Sequence, residues 1–308
     1  HALDQQRLAG TPVDGAVWTN LTPEHLDYHG DLEAYRQAKL RLFARPELGF
    51  AVLNADDPAS AAAEAAVAPG VRVLHYGRSQ GEVTARDLRL GAEGIRLEAE
   101  TPAGRVQVAS RLVGEVNAAN LLAAVAVGVA LGLDAATIGA RLSRAGAVPG
   151  RMELLGTTPA GARVWVDYAH TADALERALA SARRLVTGEL WCVFGCGGER
   201  DREKRPEMGR AADRRCDRVV LTNDNPRGED PEAILAAVRA GMDRLEPEVV
   251  LDRAAAIRHA LDSAGRGAAV VIAGKGHERE QVLADETLAF SDRDAVQEWL
   301  RTAGREAG

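Results

Sequence analysis

Four stretches of this sequence place polar or ionisable side chains directly after a short apolar run: Asp167-Tyr168-Ala169-His170, Gly195-Cys196-Gly197-Gly198-Glu199-Arg200, Asp224-Asn225-Pro226-Arg227 and Gly274-Lys275-Gly276-His277-Glu278. The second could present backbone amides and the Arg200 guanidinium to a carboxylate or phosphate. Its Gly-Cys-Gly-Gly lacks the third glycine of G-x-G-x-x-G, and the charged run Arg200 to Arg205 delays the following helix, so a dinucleotide site is not expected. Asp224 to Arg227 alone could be a turn, since Asn-Pro favours one. Beside the glycine-rich loop it reads as a receptor for a zwitterion, with a carboxylate for an ammonium group and a guanidinium that grips a carboxylate through two bonds. In the fourth stretch the glycines permit close approach and Glu278 could hold a second ammonium group.

The first half offers fewer such groups. His25 and His29 lie four residues apart in a polar loop. No glutamate or third ligand accompanies them at zinc spacing, so they read as exposed histidines or as part of a magnesium site. Lys39 falls on an amphipathic helical segment, where a plain surface lysine is the alternative. The chain has 35 arginines and only three lysines, Lys39, Lys204 and Lys275. An amine that can lose its proton is the one thing arginine cannot supply. The three cysteines, Cys192, Cys196 and Cys216, follow no disulfide or zinc spacing and suit a reduced compartment, with a redox pair at Cys192 and Cys196 as the alternative.

These residues need elements to position them. Strands are expected at 15–19 and 50–54, helices at 32–43 (N-capped by Asp31) and 59–67, and a small antiparallel sheet from the alternating runs between Val71 and Val113. An apolar helix entered through Asn117 and Asn120 follows at 116–131, then a helix at 135–145 and the breaker-rich Gly146 to Gly150, which predicts a boundary between domains 1–148 and 149–308. Beyond it, strands at 163–166, 190–194, 218–221, 248–251 and 268–272 alternate with helices at 172–186, 205–214, 231–242, 254–263 and 292–302. Such alternation implies an α/β fold with a parallel sheet, whose ligands gather at the carboxyl ends of the strands. A length of 308 residues and 46% apolar content suit about two domains. The net charge of −7 argues against a nucleic-acid partner. No apolar run approaches the ~18 residues of a membrane span and no signal-peptide core opens the chain, so a cytoplasmic protein is expected.

Taken together, Asn20 to Gly30 with Lys39, Asn117 and Asn120, Gly150-Arg151-Met152-Glu153, Asp167 to Thr171, the Gly-Cys-Gly-Gly loop, Asp224 to Arg227 and Gly274 to Glu278 resemble the Mur ligases, most nearly those of the UDP-N-acetylmuramoyl-tripeptide synthetase type. The resemblance covers essentially the whole chain. It implies the rear of a central ATPase domain, with a mixed sheet and a small antiparallel sheet, followed by a Rossmann-like C-terminal domain. It also implies a monomeric enzyme that uses ATP and Mg2+ to join meso-diaminopimelate to UDP-MurNAc-L-Ala-D-Glu through an acyl phosphate. On that resemblance Lys39 is carbamylated, His25 and Lys39 serve the metal, and Lys39, His25 and Arg151 are catalytic. Asn117, Asn120, Arg151, Asp167 and His170 contact ATP, and Gln5 and Arg7 hold the UDP-MurNAc-dipeptide. Arg200, Asp224, Asn225, Pro226, Arg227, Gly274 and Glu278 receive the amino acid. The family's uridine-binding domain and its Gly-Lys-Thr phosphate loop are not found in these residues, so a fragment without turnover of its own is expected. Ligation of L-lysine or L-ornithine, a folylpolyglutamate-synthase-like ligase and a non-catalytic binding module are the competing expectations.

Overall fold

Each half of the chain builds its own sheet. The computed structural model describes residues 1–23, 25–91 and 93–306 and divides them into two units, His1–Gly146 and Ala147–Gly308. Glu24, part of the Asn20 to Gly30 stretch, lies outside the described residues.

The first unit runs β1 (Gly15–Trp18), α1 (Leu26–His29), α2 (Leu32–Phe43), β2 (Phe50–Asn54), α3 (Ser60–Ala66), β3 (Arg72–Gly77), β4 (Val83–Gly91), β5 (Gly94–Glu100), β6 (Val106–Ser110), α4 (Glu115–Ala130) and α5 (Ala135–Ser143). Its strands lie in sequence order, parallel from β1 to β4 and antiparallel from β4 to β6. Here the structure departs from the separate antiparallel sheet expected over 71–113. The run Arg72–Gly77 pairs parallel with β2, and the antiparallel strands extend the same sheet. Alternation cannot reveal this, because a strand's period is two residues whichever way its neighbour runs.

Burial along β2 sets the layers. Val52 packs with Leu121, Leu122, Val125 and Val129 of α4, while Ala51 and Leu53 face Trp18, Phe43 of α2 and Ala63 of α3. Asp31 caps α2 by accepting a bond from the Ala34 amide at 2.8 Å. Helix α4 is entered at Gly114, so Asn117 and Asn120 lie inside its first turns and not at its entry.

The second unit runs β7 (Glu153–Thr157), β8 (Arg163–Asp167), α6 (Ala172–Arg184), β9 (Leu190–Phe194), α7 (Lys204–Arg215), β10 (Arg218–Leu221), α8 (Pro231–Arg239), β11 (Glu248–Val249), α9 (Arg253–Ser263), β12 (Ala269–Ala273), β13 (Glu280–Val282), β14 (Thr287–Ala289) and α10 (Asp292–Glu306). Five parallel strands stand in the order β11-β10-β9-β12-β8, with β7 antiparallel at the edge and β13–β14 a separate hairpin. The last parallel strand therefore inserts between the first two, and its loop emerges beside theirs. Val164, Val166, Trp191, Val193, Val220, Val270 and Ile272 face α9 and α10. The alternate residues Leu190, Cys192 and Phe194 are equally buried on the other face, so these strands read as continuous apolar runs. Side chains of Thr171, Asp230 and Asp252 cap α6, α8 and α9. Strand β11 covers two residues and is exposed, shorter than the buried strand expected over 248–251.

Candidate active site

Backbone strain marks the candidate positions before any side chain is considered. Among the described residues, five that are not glycine take positive φ: Gln6 (55°), His25 (58°), Met152 (42°), Glu199 (54°) and Arg227 (52°). Each costs of order 1–2 kcal/mol. All five are motif residues or immediate neighbours of one, which ordinary turns would not arrange.

In the second unit the polar loops lie together at the carboxyl ends of β8, β9, β10 and β12. The β9 and β10 loops touch directly: the Gly198 amide donates to Asn225 O at 2.9 Å. Arg227 Nη1 donates to Gly198 O at 2.8 Å and Asn225 O at 3.3 Å, so its guanidinium lies along the glycine loop and not in bulk solvent. A Cβ on Gly198 would strike the Pro226 carbonyl, which explains the glycine. Arg200 is exposed at the outer end of this loop.

The β10 and β12 loops are joined more tightly. Lys275, wholly buried, donates to Asn225 Oδ1 at 2.9 Å and Glu278 Oε2 at 3.0 Å. Asn225 Nδ2 donates to the same Glu278 oxygen at 3.1 Å, and the Val282 amide donates to Asn225 Oδ1 at 2.9 Å. Gly274, at φ 113°, holds the Asp224 carboxylate so close that a Cβ would stand 2.5 Å from Oδ2. Burial pushes the Asp224 carboxyl above the usual carboxylate range, against the pull of Arg253 and Lys275.

Three supports were not assigned roles from the sequence. Arg253 is completely buried, bonded through two nitrogens to Asp292 at 2.7 and 2.8 Å, and donates to Asn223 O at 3.1 Å and Ala273 O at 2.9 Å. One guanidinium thus ties down the residues immediately before Asp224 and Gly274. Gln281 of β13 donates to Asp224 O at 2.9 Å, and the Arg227 amide donates to Val282 O at 3.1 Å, so the hairpin braces the β10 loop. Arg205 holds Glu229 through two bonds of 3.1 Å and reaches Gly197 O at 3.2 Å; its hydrogen bonds hold the Glu229 carboxyl down at about 2. Sequence carries little signal for any of these, because an arginine destined for burial is written like one on the surface.

At the β8 end, Asp167 accepts from the amides of Met152 at 2.6 Å and Ala169 at 2.8 Å, and burial raises its carboxyl. The Arg151 guanidinium stands 4.6 Å from the Tyr168 ring centre, and His170 Nδ1 lies 2.8 Å from Tyr168 O. Arg151, Asp167 and His170 are therefore neighbours. The redox alternative for the cysteines fails. Cys192, Cys196 and Cys216 are all buried, and burial pushes the Cys196 thiol up to about 12, away from a reactive thiolate.

In the first unit Lys39 Nζ lies 4.8 Å from the centre of the Tyr35 ring, whose edge meets His25 at 6.2 Å and whose face stacks on His29 at 5.0 Å. Lys39 and His25 thus share one aromatic neighbour. Among the described residues no group of three or more His, Cys, Asp or Glu could hold a metal ion by itself. Asn117 donates to Val113 O at 2.8 Å, Asn120 is exposed one turn on, and Gln5 and Arg7 are exposed in the N-terminal turns.

Comparison with known proteins places this geometry. Residues 1–128 match the Mur ligase middle domain and residues 150–276 the Mur ligase glutamate ligase domain. Over its full length the chain is 49% identical to the UDP-N-acetylmuramoyl-L-alanyl-D-glutamate--2,6-diaminopimelate ligase of Alkalilimnicola ehrlichii, covering 62% of that protein. Over 96% of its length it is 49% identical to the enzyme of the same name from Synechococcus elongatus, covering 60%. The chain thus spans about three fifths of the curated relatives it matches. A solved structure bearing that ligase name aligns over 99% of this chain and 63% of its own, with 37% identity and a TM-score of 0.67. The MurF ligase of Thermotoga maritima, solved with ADP, shares the fold at a TM-score of 0.69 and 18% identity. With both domain models and these relatives in agreement, the chain belongs to the Mur ligase family and carries its middle and C-terminal domains.

Proposed function

We propose that this chain acts in an ATP-dependent amide ligase that adds meso-diaminopimelate to UDP-MurNAc-L-Ala-D-Glu, as a monomer in the cytoplasm. The observation that carries the reading is the mixed set of charges at the tips of β9, β10 and β12. A docked guanidinium, a buried carboxylate and a partly exposed carboxylate lie on bonded or adjoining loops. Diaminopimelate carries an ammonium and a carboxylate at each end, and this set offers partners of both signs. Arg200 and Arg227 would take carboxylates. Asp224, shaped by Asn225 and Pro226, and Glu278, beside Gly274, would take ammonium groups.

In such a reaction the γ-phosphate of ATP passes to the terminal carboxylate of the nucleotide-linked dipeptide. The free amine of the incoming amino acid then attacks the acyl phosphate, and inorganic phosphate leaves from the tetrahedral intermediate. The residues named here bind and orient. A diamino acid held at its distal end by two loops has its reacting amine placed for attack, which replaces a chance encounter with a fixed geometry. In the first unit Gln5 and Arg7 would hold the nucleotide-linked dipeptide, and Asn117 and Asn120 would meet adenine. In the second, Arg151, Asp167 and His170 are the candidates for the nucleotide.

A carbamate formed on Lys39 would supply a hard oxygen donor, and His25, sharing Tyr35 with it, an imidazole nitrogen. Two donors fall short of an all-protein cage and suit magnesium, which keeps waters and phosphate oxygens. The ion would neutralise phosphate charge during transfer.

The test is product analysis with the complete natural protein, ATP, magnesium, the nucleotide-linked dipeptide and meso-diaminopimelate. One ADP should appear per product, and the product should gain the diamino acid less one water. ADP release without a new amide, or an unchanged dipeptide mass, would overturn the reading.

A further inference from the structure

Lys275 belongs to no set of ligand contacts named above, yet it is the only wholly buried lysine in the described chain. An ammonium group is expensive to bury and needs a compensating arrangement. Here the compensation comes from the two loops that would receive the amino acid. Asn225 Oδ1 accepts from both Lys275 Nζ and the Val282 amide. Two donors on one atom fix which end of that amide is oxygen, and so turn its NH2 towards Glu278 Oε2 at 3.1 Å. That carboxylate oxygen also accepts from Lys275 at 3.0 Å, so one face of Glu278 is spoken for.

The formal charges around this point are Asp224, Glu278 and Asp292 against Lys275 and Arg253, the groups that act electrostatically on Asp224. They leave one negative charge in excess, which favours an ammonium group at Glu278. Glu278 keeps 34% of its side chain exposed. Without Lys275 it is held by the Asn225 amide alone, which itself keeps only the Val282 bond, and it can swing into water and carry its charge away from the guest. That loss of placement outweighs the more negative local potential that removing a lysine creates, because an exposed charge in water acts weakly on a bound group.

We propose that Lys275 is a positioning residue of the amino-acid subsite: its buried ammonium locks the Asn225 amide and holds Glu278 by Oε2, so that Oε1 is presented to the ammonium group of a diamino acid. The inference rests on the ligase reading above and extends it to a residue that touches no substrate.

The test is kinetic, on the complete protein. Lys275→Met should raise KM for diaminopimelate about tenfold or more, with KM for ATP held within about threefold. Combined with Glu278→Gln it should lose little beyond what Glu278→Gln loses alone, since both changes remove one arrangement. A well-folded Lys275→Met with unchanged or lower KM for diaminopimelate, or losses that simply add, overturns the proposal. Should Lys275→Met not fold, Lys275→Gln, which keeps an N–H donor for Asn225, is judged by the same cycle. A parent protein indifferent to diaminopimelate would bring down the ligase reading and this role with it. A responsive parent with insensitive Lys275 variants would bring down the role alone.

Discussion

At the scale of single residues, the candidate site is held in an unfavourable state. Asp224 sits 9% exposed among charges of both signs, and burial raises its carboxyl despite Arg253 and Lys275 nearby. A carboxyl whose folded value is raised binds protons more readily in the folded state than in the unfolded one. Its contribution to stability is fully present below the unfolded value and is lost as pH rises through the folded value. At neutral pH Asp224 therefore weakens the empty fold relative to a neutral side chain in its place, and an ammonium ligand would restore the balance. Asp224→Asn should accordingly raise the urea midpoint at pH 7, with a gain that shrinks towards pH 4, while diaminopimelate use falls. Equal or lower stability of the variant at pH 7 would show that the carboxylate is already well compensated. Sequence exposed Asp224 and Arg227 through their neighbours Asn225 and Pro226. It could not show that Arg227 takes φ 52° or that its guanidinium lies along the Gly198 carbonyl, because both depend on a loop about 30 residues away in the chain.

At the scale of elements, the loops are held by residues planted on helices and on the hairpin. Arg253 starts α9 and Asp292 starts α10, and their buried pair reaches the last residues before two candidate loops. Removing one partner strands the other charge in the interior. Arg253→Met should cost about 3–5 kcal/mol in urea unfolding, and Arg253→Met with Asp292→Leu should recover most of it while the tips of β10 and β12 lose their tie. A stable double variant that keeps full ligase activity would deny the pair its role in aligning the loops. The helices and buried parallel strands were legible from their alternation along the chain, and Thr171, Asp230 and Asp252 cap three of those helices. Strand β7 and the β13–β14 hairpin were not. Strands β13 and β14 cover three residues each, β14 exposed throughout, and β7 has no fully buried residue, so neither alternation nor an apolar run announces them.

At the scale of the whole chain, two kinds of sheet emerged from one kind of signal. The strand order β11-β10-β9-β12-β8 brings the ends of non-consecutive strands together, and strand spacing along the sequence says nothing about such an insertion. What the sequence did carry was the ordered set of loops, which named the family that both domain matches support. The account's central claim is that those loops select an amino acid charged at both ends. The most direct measurement is the ratio of kcat/KM for meso-diaminopimelate to that for L-lysine in the complete protein. Lysine lacks the second carboxylate and would leave a guanidinium in the site without its anionic partner, so the ratio should be on the order of 10² to 10³ in favour of diaminopimelate, about 3–4 kcal/mol. Equal use of the two, or a preference for lysine or ornithine, would contradict it.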